Sequence, residues 1–420
     1  MVRTSTGTQP RLRASAYLFP WDVVDDATAD AVADLSADSV TLAAVYHSVR
    51  ALAPRHPDRR IVTSDRTRAY TAPPPGGWAS IALPPADEVD VTGTSDTFGR
   101  ARDLLAERDL PVRAWLTLTH VDGLTGRPDL LRRTVLGDAL DYALCPAQPE
   151  VLERSAALVT GVLAGSGTRS IVLEAVGPLS AVHVSEHDKT GLDGHAPELT
   201  TVLSFCFCPA CCRSLRSHDI DDAELMARVR SRLLTGDEQG AAALLTAPGV
   251  RRHTAAVAER ALAGATTAAV RAGAREVLVH ATALPTDGGP AIPVGDQPAA
   301  AALTTTEGAR LQLVASCWLP GDVSRRRVAA LAAVSGRAGA STGAFVNVLR
   351  RADPPSADLP VRPAAPATPE AAQWRGLLEA GATELHLYHA GLASTATLRR
   401  VRTALADLRQ TTRPTPEVTR

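Results

Sequence analysis

The residues best equipped for chemistry crowd into one stretch, Ser170 to Arg213. It opens on S-I-V-L-E, a short apolar run of the kind buried on both faces of a parallel sheet, and the run ends at Glu174. A carboxylate just past a buried strand is costly unless it is paired or used. Its apolar neighbours Leu173, Ala175 and Val176 would raise its pKa and suit it to general acid catalysis. Paired with an arginine, the same residue would be structural, and both readings stay open.

The segment His183-Val-Ser-Glu-His187-Asp-Lys follows. On a helix, His183 and His187 would share one face, as metal ligands do. Gly177, Pro178 and Gly191 argue instead for a loop, solvated or facing a ligand. Then come Cys206, Cys208 and Cys211 as C-x-C-x-x-C, with Cys212 adjacent. Three thiolates at this spacing wrap a tetrahedral Zn²⁺ if a fourth ligand arrives from elsewhere, and Cys145 on the preceding loop is the candidate. Such a zinc would be structural. The other reading is a set of buried thiols packing as small apolar residues.

Positioning these groups requires a scaffold. Short apolar runs begin near Ala16, Ser39, Val112, Ser170, Glu276, Leu311, Ala344 and Glu384, and helical patterns lie between most of them. Eight alternating units predict an α/β fold, a (β/α)8 TIM barrel with long βα loops. A doubly wound open sheet is the rival, but it calls for a G-x-G-x-x-G turn that the early strands lack. The expected organisation is a tail over 1–13, one barrel over 14–409 with loop excursions at 54–90 and 177–220, and a tail over 410–420. The segment from His120 to Pro149 reads as irregular.

In a barrel, active residues sit at the C-terminal strand ends. This register puts Trp21, Asp22, Tyr46, His47, His120, Glu174, His280, Trp318, Asn347, Tyr388 and His389 there. Aromatic platforms beside polar hydrogen-bonders suit a saccharide. Glu174 and Asp22 are the expected catalytic groups. Trp21, Tyr46, His47, His120, His187, Trp318, Asn347, Tyr388 and His389 are the expected substrate contacts, with Glu174 near His47 and His120. Glu186, Asp188 and Asp322 are further candidates for a second carboxylate.

The 420 residues carry a net charge of -1, 45% hydrophobic and 21% charged content, which excludes an electrostatic footprint for nucleic acid or an anionic membrane. No apolar run reaches the length of a membrane span. Six cysteines, four of them clustered, point to metal or thiol chemistry in a reducing, cytoplasmic setting rather than a disulfide framework. No organic cofactor is expected.

The strand ending in Glu174, the F-C-F-C-P-A-C-C-R run, the L-C-P-A-Q-P-E segment from Leu144 and the Phe19-Pro20-Trp21-Asp22 start resemble glycoside-hydrolase-like TIM-barrel proteins common in actinobacteria. The cysteine cluster is similar to the zinc-binding cysteines of glycoside hydrolase family 42 β-galactosidases. The resemblance runs roughly from Tyr17 to Leu408. It implies that Glu174 is the acid/base glutamate at the end of the fourth strand. It also implies a nucleophile at the end of the seventh, where this sequence has Asn347 and no acid. Two alternatives to a hydrolase follow: a non-catalytic saccharide-binding barrel without a nucleophile, or a metal-dependent enzyme using Glu174 with His183 or His187.

Overall fold

The computed structural model describes residues 12–83, 96–124, 126–181, 197–284, 290–295, 308–319, 321–349 and 370–411. Eight strands form the barrel: β1 (Arg13–Leu18), β2 (Ser39–Tyr46), β3 (Val112–Thr117), β4 (Ser170–Glu174), β5 (Glu276–Thr282), β6 (Arg310–Ser316), β7 (Ser341–Asn347) and β8 (Glu384–Tyr388). Each pairs in parallel with the next, and β8 pairs back onto β1, Arg13 opposite Glu384, so the sheet is closed. The chain is a (β/α)8 barrel, as the alternation predicts. Closure removes the sheet edges that would otherwise need covering.

Helices α1 (Asp26–Ala33), α2 (Thr97–Ala106) and α3 (Pro149–Ser166) follow the first three strands. α3 has Pro149 in its first turn, where no N–H is needed, and stops at Gly167 with φ +65°. After β4 come four helices, α4 (Pro197–Ser204), α5 (Pro209–Arg216), α6 (Asp222–Leu234) and α7 (Glu238–Leu245), before α8 (Pro248–Arg271) returns against α3. The four bury their own small core, including Val202, Phe205, Leu215, Val229 and Leu245. Helices α9 (Asp322–Arg337), α10 (Glu370–Glu379) and α11 (Thr395–Thr411) complete the outer ring.

The span read as irregular, from His120 to Pro149, contains an antiparallel hairpin, β9 (Leu131–Arg133) with β10 (Ala139–Leu144). β9 has three residues, two of them arginines, and β10 is half-exposed, so they carry little apolar pattern to read. A second hairpin pairs β11 (Val49–Leu52) with β12 (Ile61–Ser64) above the end of β2. Both hairpins lie in loops that follow strand C-termini, the side where a barrel keeps its site.

The barrel interior is unusually polar. Period-two alternation turns Arg113 and Trp115 of β3, Tyr17 of β1, Glu276 and His280 of β5, Gln312 of β6 and Glu384 and His386 of β8 inward. A register shift between Ala43 and Val45 breaks the alternation of β2, and beyond it Tyr46 points in against Trp115.

Candidate active site and metal centre

Glu174 closes β4 and is 8% exposed. Trp115 Nε1 donates to its Oε2 at 2.7 Å, and His280 Nδ1 lies 3.9 Å from its Oε1. Burial pushes the Glu174 carboxyl up to about 7, against the opposing pull of the Trp115 hydrogen bond. Burial likewise pushes His280 down to about 3. The pair is therefore a neutral imidazole beside a carboxyl that titrates near neutrality, not a salt bridge. The next residue, Ala175, sits at φ +51°, a conformation an alanine adopts only under constraint. Its N–H donates to Pro290 O at 3.0 Å, and its carbonyl accepts from Thr119 N at 2.8 Å and Thr119 Oγ1 at 2.7 Å. These bonds hold the turn that presents Glu174.

Around the carboxyl the mouth is packed with rings. Tyr17 meets Trp115 at 5.1 Å and Phe345 at 4.9 Å, and Phe345 meets Tyr388 at 4.5 Å. Tyr46 and Tyr388 join through their hydroxyls at 3.3 Å. Trp318 lies flat on Tyr388, 5.0 Å away and 10° from parallel, and is 49% exposed. Burial raises the phenols of Tyr17, Tyr46 and Tyr388 above their usual range, so all stay neutral.

The other expected site residues separate into groups. His47 and His120 stack on each other at 3.8 Å, with Asp122 Oδ2 3.8 and 4.0 Å from their ring nitrogens. Tyr46 stands between this pair and Trp115, so Glu174 has Trp115 and His280 as partners rather than His47 and His120. Ligand atoms of His47, His120 and Asp122 all lie within 4.8 Å of one another, close enough for a metal ion. His47 Nδ1 also lies 2.7 Å from the Ser48 carbonyl oxygen.

Trp21 is buried, stacked on Phe19 at 4.7 Å, and offers no face to a ligand. Asp22 is 4% exposed and accepts from the Phe19 N–H at 2.8 Å. Burial pushes it up to about 6, against that hydrogen bond and the nearby Arg55. Asn347 is exposed, and its side-chain oxygen caps Leu349 N in its own loop. His389, at φ +64°, packs on Tyr388 at 3.5 Å and is pushed down to about 4 by burial. His183, Glu186, His187 and Asp188 lie outside the described residues, as do 1–11 and 412–420 of the expected tails. Among the described residues no carboxylate shares a hydrogen bond or ion pair with Glu174.

The sequence reading missed Trp115, Tyr17, Gln312, His386 and Asp122. All but Asp122 sit inside strands, and for two of them the signal was there: His386 stands two before Tyr388 and Tyr17 two before Phe19.

Cys145, Cys206, Cys208 and Cys211 converge as expected. Sγ of Cys145 lies 3.5 Å from Cys211, 3.5 Å from Cys208 and 3.8 Å from Cys206. That is too long for a disulfide, and none of the six cysteines is in one. It is the edge of a tetrahedron whose centre lies about 2.3 Å from each sulfur. The N–H groups of Arg133 and Cys208 point at Cys206 Sγ from 3.4 and 3.5 Å, favouring its thiolate. These four residues can hold a metal ion. Cys212 and Cys317 stand apart, each bonded to a backbone carbonyl, of Phe207 and Ala315. No described helix is long and apolar enough to cross a membrane.

No protein-family model and no curated protein matches the chain. Among solved structures it is similar to the crystal structure of an inactive mutant of the GH20 exo-β-N-acetylglucosaminidase from Vibrio harveyi. The TM-score is 0.41 and the identity 9%, over 96% of this chain and 58% of that one. The chain thus spans less than two thirds of that protein's length.

Proposed function

We propose that this chain is a glycoside-hydrolase-like enzyme acting on a saccharide at the barrel mouth, with Glu174 as the general acid. The observation that carries the reading is the placing of Glu174: a buried carboxyl at the end of a barrel strand, on a constrained turn, which burial pushes up to about 7. A proton donor poised near the working pH is what departure of an alkoxide requires. Trp318 supplies an exposed ring, backed by Tyr388, on which a sugar face can lie. Between the ends of β5 and β6 lies a small recess of about 40 Å³ lined by Thr282, Pro290, Ser316 and Arg327.

The second reading is a saccharide-binding barrel without turnover. It is favoured by the lack, among the described residues, of a carboxylate facing Glu174, since glycoside hydrolysis ordinarily uses two. A panel of aryl glycosides, assayed with wild type and Glu174→Gln, separates the readings. Hydrolysis lost in the variant supports the enzyme, and saccharide binding with no turnover in either protein supports the binding barrel.

We further propose that Cys145, Cys206, Cys208 and Cys211 hold one structural Zn²⁺ as thiolates. The ion would tie the loop after β3 to the excursion after β4, and so frame the approach to Glu174. A cytoplasmic, reducing location would keep these thiols available.

A further inference from the structure

Hydrogen-bond direction can be followed through the barrel interior from its floor to His280, the neighbour of Glu174. At the floor, Arg113 Nη1 donates to Glu384 Oε1 at 2.5 Å, and Arg113 Nε to Glu276 Oε2 at 2.8 Å. Burial would raise Glu384, but the adjoining His386 ring and the Arg113 guanidinium bring it down to about 2, so it is an ionised, acceptor-only group. The amide of Gln312 must then turn its nitrogen to it: Nε2 donates to Glu384 Oε2 at 3.3 Å and to Ser341 Oγ at 3.2 Å. This leaves Gln312 Oε1 as an acceptor, 2.8 Å from His386 Nε2.

His386 is fully buried, and burial keeps it neutral, pushed down to about 4. Its one N–H proton is therefore on Nε2, and Nδ1 is bare. The Tyr17 hydroxyl, 3.3 Å from that Nδ1, donates to it, and the Tyr17 oxygen then accepts from His280 Nε2 at 3.3 Å. Thr41, the register partner of Tyr17 on β2, borders the phenol and shares its own hydroxyl with Ser15 Oγ at 2.8 Å. His280, also neutral, is left with a bare Nδ1 facing Glu174 Oε1. The other carboxyl oxygen accepts from Trp115. A Cβ on Gly343 would collide with His386 Nε2 and stand 3.1 Å from Gln312 Oε1, so β7 has a glycine where the relay crosses.

We infer that the directed chain Arg113, Glu384, Gln312, His386, Tyr17, His280 makes His280 a positioning residue: it fixes a bare Nδ1 3.9 Å from Glu174 Oε1, beyond hydrogen-bond reach, so the ring offers that carboxyl neither a donor nor a positive charge that would favour its ionised form. Among the described residues the titratable groups facing Glu174 are His280 of β5, Tyr17 of β1, Tyr46 of β2 and Tyr388 of β8; the three phenols are neutral, and of these four groups the imidazole is the one whose tautomer decides whether it turns a donor or an acceptor to the carboxyl. The inference deepens the proposed role of Glu174, but it is read without any assay of turnover.

Nitrogen-15 NMR of the histidine side chains in the wild-type protein, assigned with His280→Gln and His386→Gln, reads the tautomers directly. Both rings are expected as neutral Nε2–H forms at neutral pH. An Nδ1–H or doubly protonated His280 overturns the inference. Tyr17→Phe cuts the relay between the two rings while keeping the aromatic packing. In this variant His280 should lose its fixed tautomer. Glu174, followed by the infrared band of its protonated carboxyl, should ionise about tenfold more readily, a fall of about one pKa unit. A folded Tyr17→Phe protein with both signals unchanged overturns it too. Loss of hydrolysis activity, or its absence, moves neither measurement.

Discussion

Trp115 Nε1 donates to Glu174 Oε2 at 2.7 Å, joining the interior of the third barrel strand to the end of the fourth. The bond fixes the carboxyl in place without ionising it, because an indole is a neutral donor and burial outweighs its pull. A guanidinium at the same position would hold the carboxylate charged and make Glu174 structural.

That balance has a consequence for stability. The ordinary value for this carboxyl is 4.5 and the folded value is about 7. Between those pH values the folded protein keeps a proton that the unfolded chain releases, so wild-type stability falls across the window and levels off above it. Glu174→Gln removes the slope. The variant should gain on wild type by about 2–3 kcal/mol between the two ends. Urea unfolding of both proteins at either end of the window checks this, and parallel pH profiles would show that Glu174 is ionised in the fold.

At the barrel floor the sign is opposite. Glu384 titrates at about 2, below its ordinary 4.5, so its contribution is present above 4.5 and is lost as pH falls towards 2. Glu384→Gln leaves Arg113, 2% exposed, with Glu276 as its remaining carboxylate. The loss should be about 3–5 kcal/mol, as for other buried pairs broken from one side. Combining it with Arg113→Met should cost less than the sum of the single changes, measured by denaturant unfolding.

Much of this arrangement was legible in the sequence because buried parallel strands write themselves as short apolar runs. All eight lie where those runs fall, and Glu174 ends one of them. The cysteine constellation was legible because ligand spacing is local, and Cys145 needed only the knowledge that consecutive βα loops are neighbours. The His47 and His120 stack was not legible, since it depends on how far each strand end extends. Nor was the burial of Trp21 and Asp22, which depends on how the turn after β1 folds back on the barrel. The interior relay was hidden for a different reason: His386 and Gln312 look like exceptions in apolar runs until the closed barrel turns them toward each other.

For the metal centre, protein purified without chelator should contain about one zinc per chain, measured by elemental analysis. Cys206→Ser should reduce that content sharply, whereas Cys212→Ser, outside the cluster, should leave it unchanged. Removing the metal should loosen the excursion after β4 more than the barrel, visible as hydrogen exchange in α4 and α5 ahead of β4.

Trp318 offers the cleanest test of the saccharide surface. It is half-exposed, so Trp318→Ala should change stability by less than about 1 kcal/mol. Loss of the stacking face should weaken binding of a saccharide about tenfold, measured by calorimetry. Unchanged affinity would move the ligand away from this rim.

The central claim is that Glu174 donates a proton to a departing sugar oxygen, and its most direct test is leaving-group dependence. Turnover of two glycosides, one with an alkyl and one with an acidic aryl leaving group, should be compared between wild type and Glu174→Gln. The account predicts a loss of about 10²–10⁴-fold for the alkyl glycoside and a much smaller loss for the aryl one, which leaves without help. Equal losses for both substrates, or hydrolysis untouched by the substitution, would contradict it.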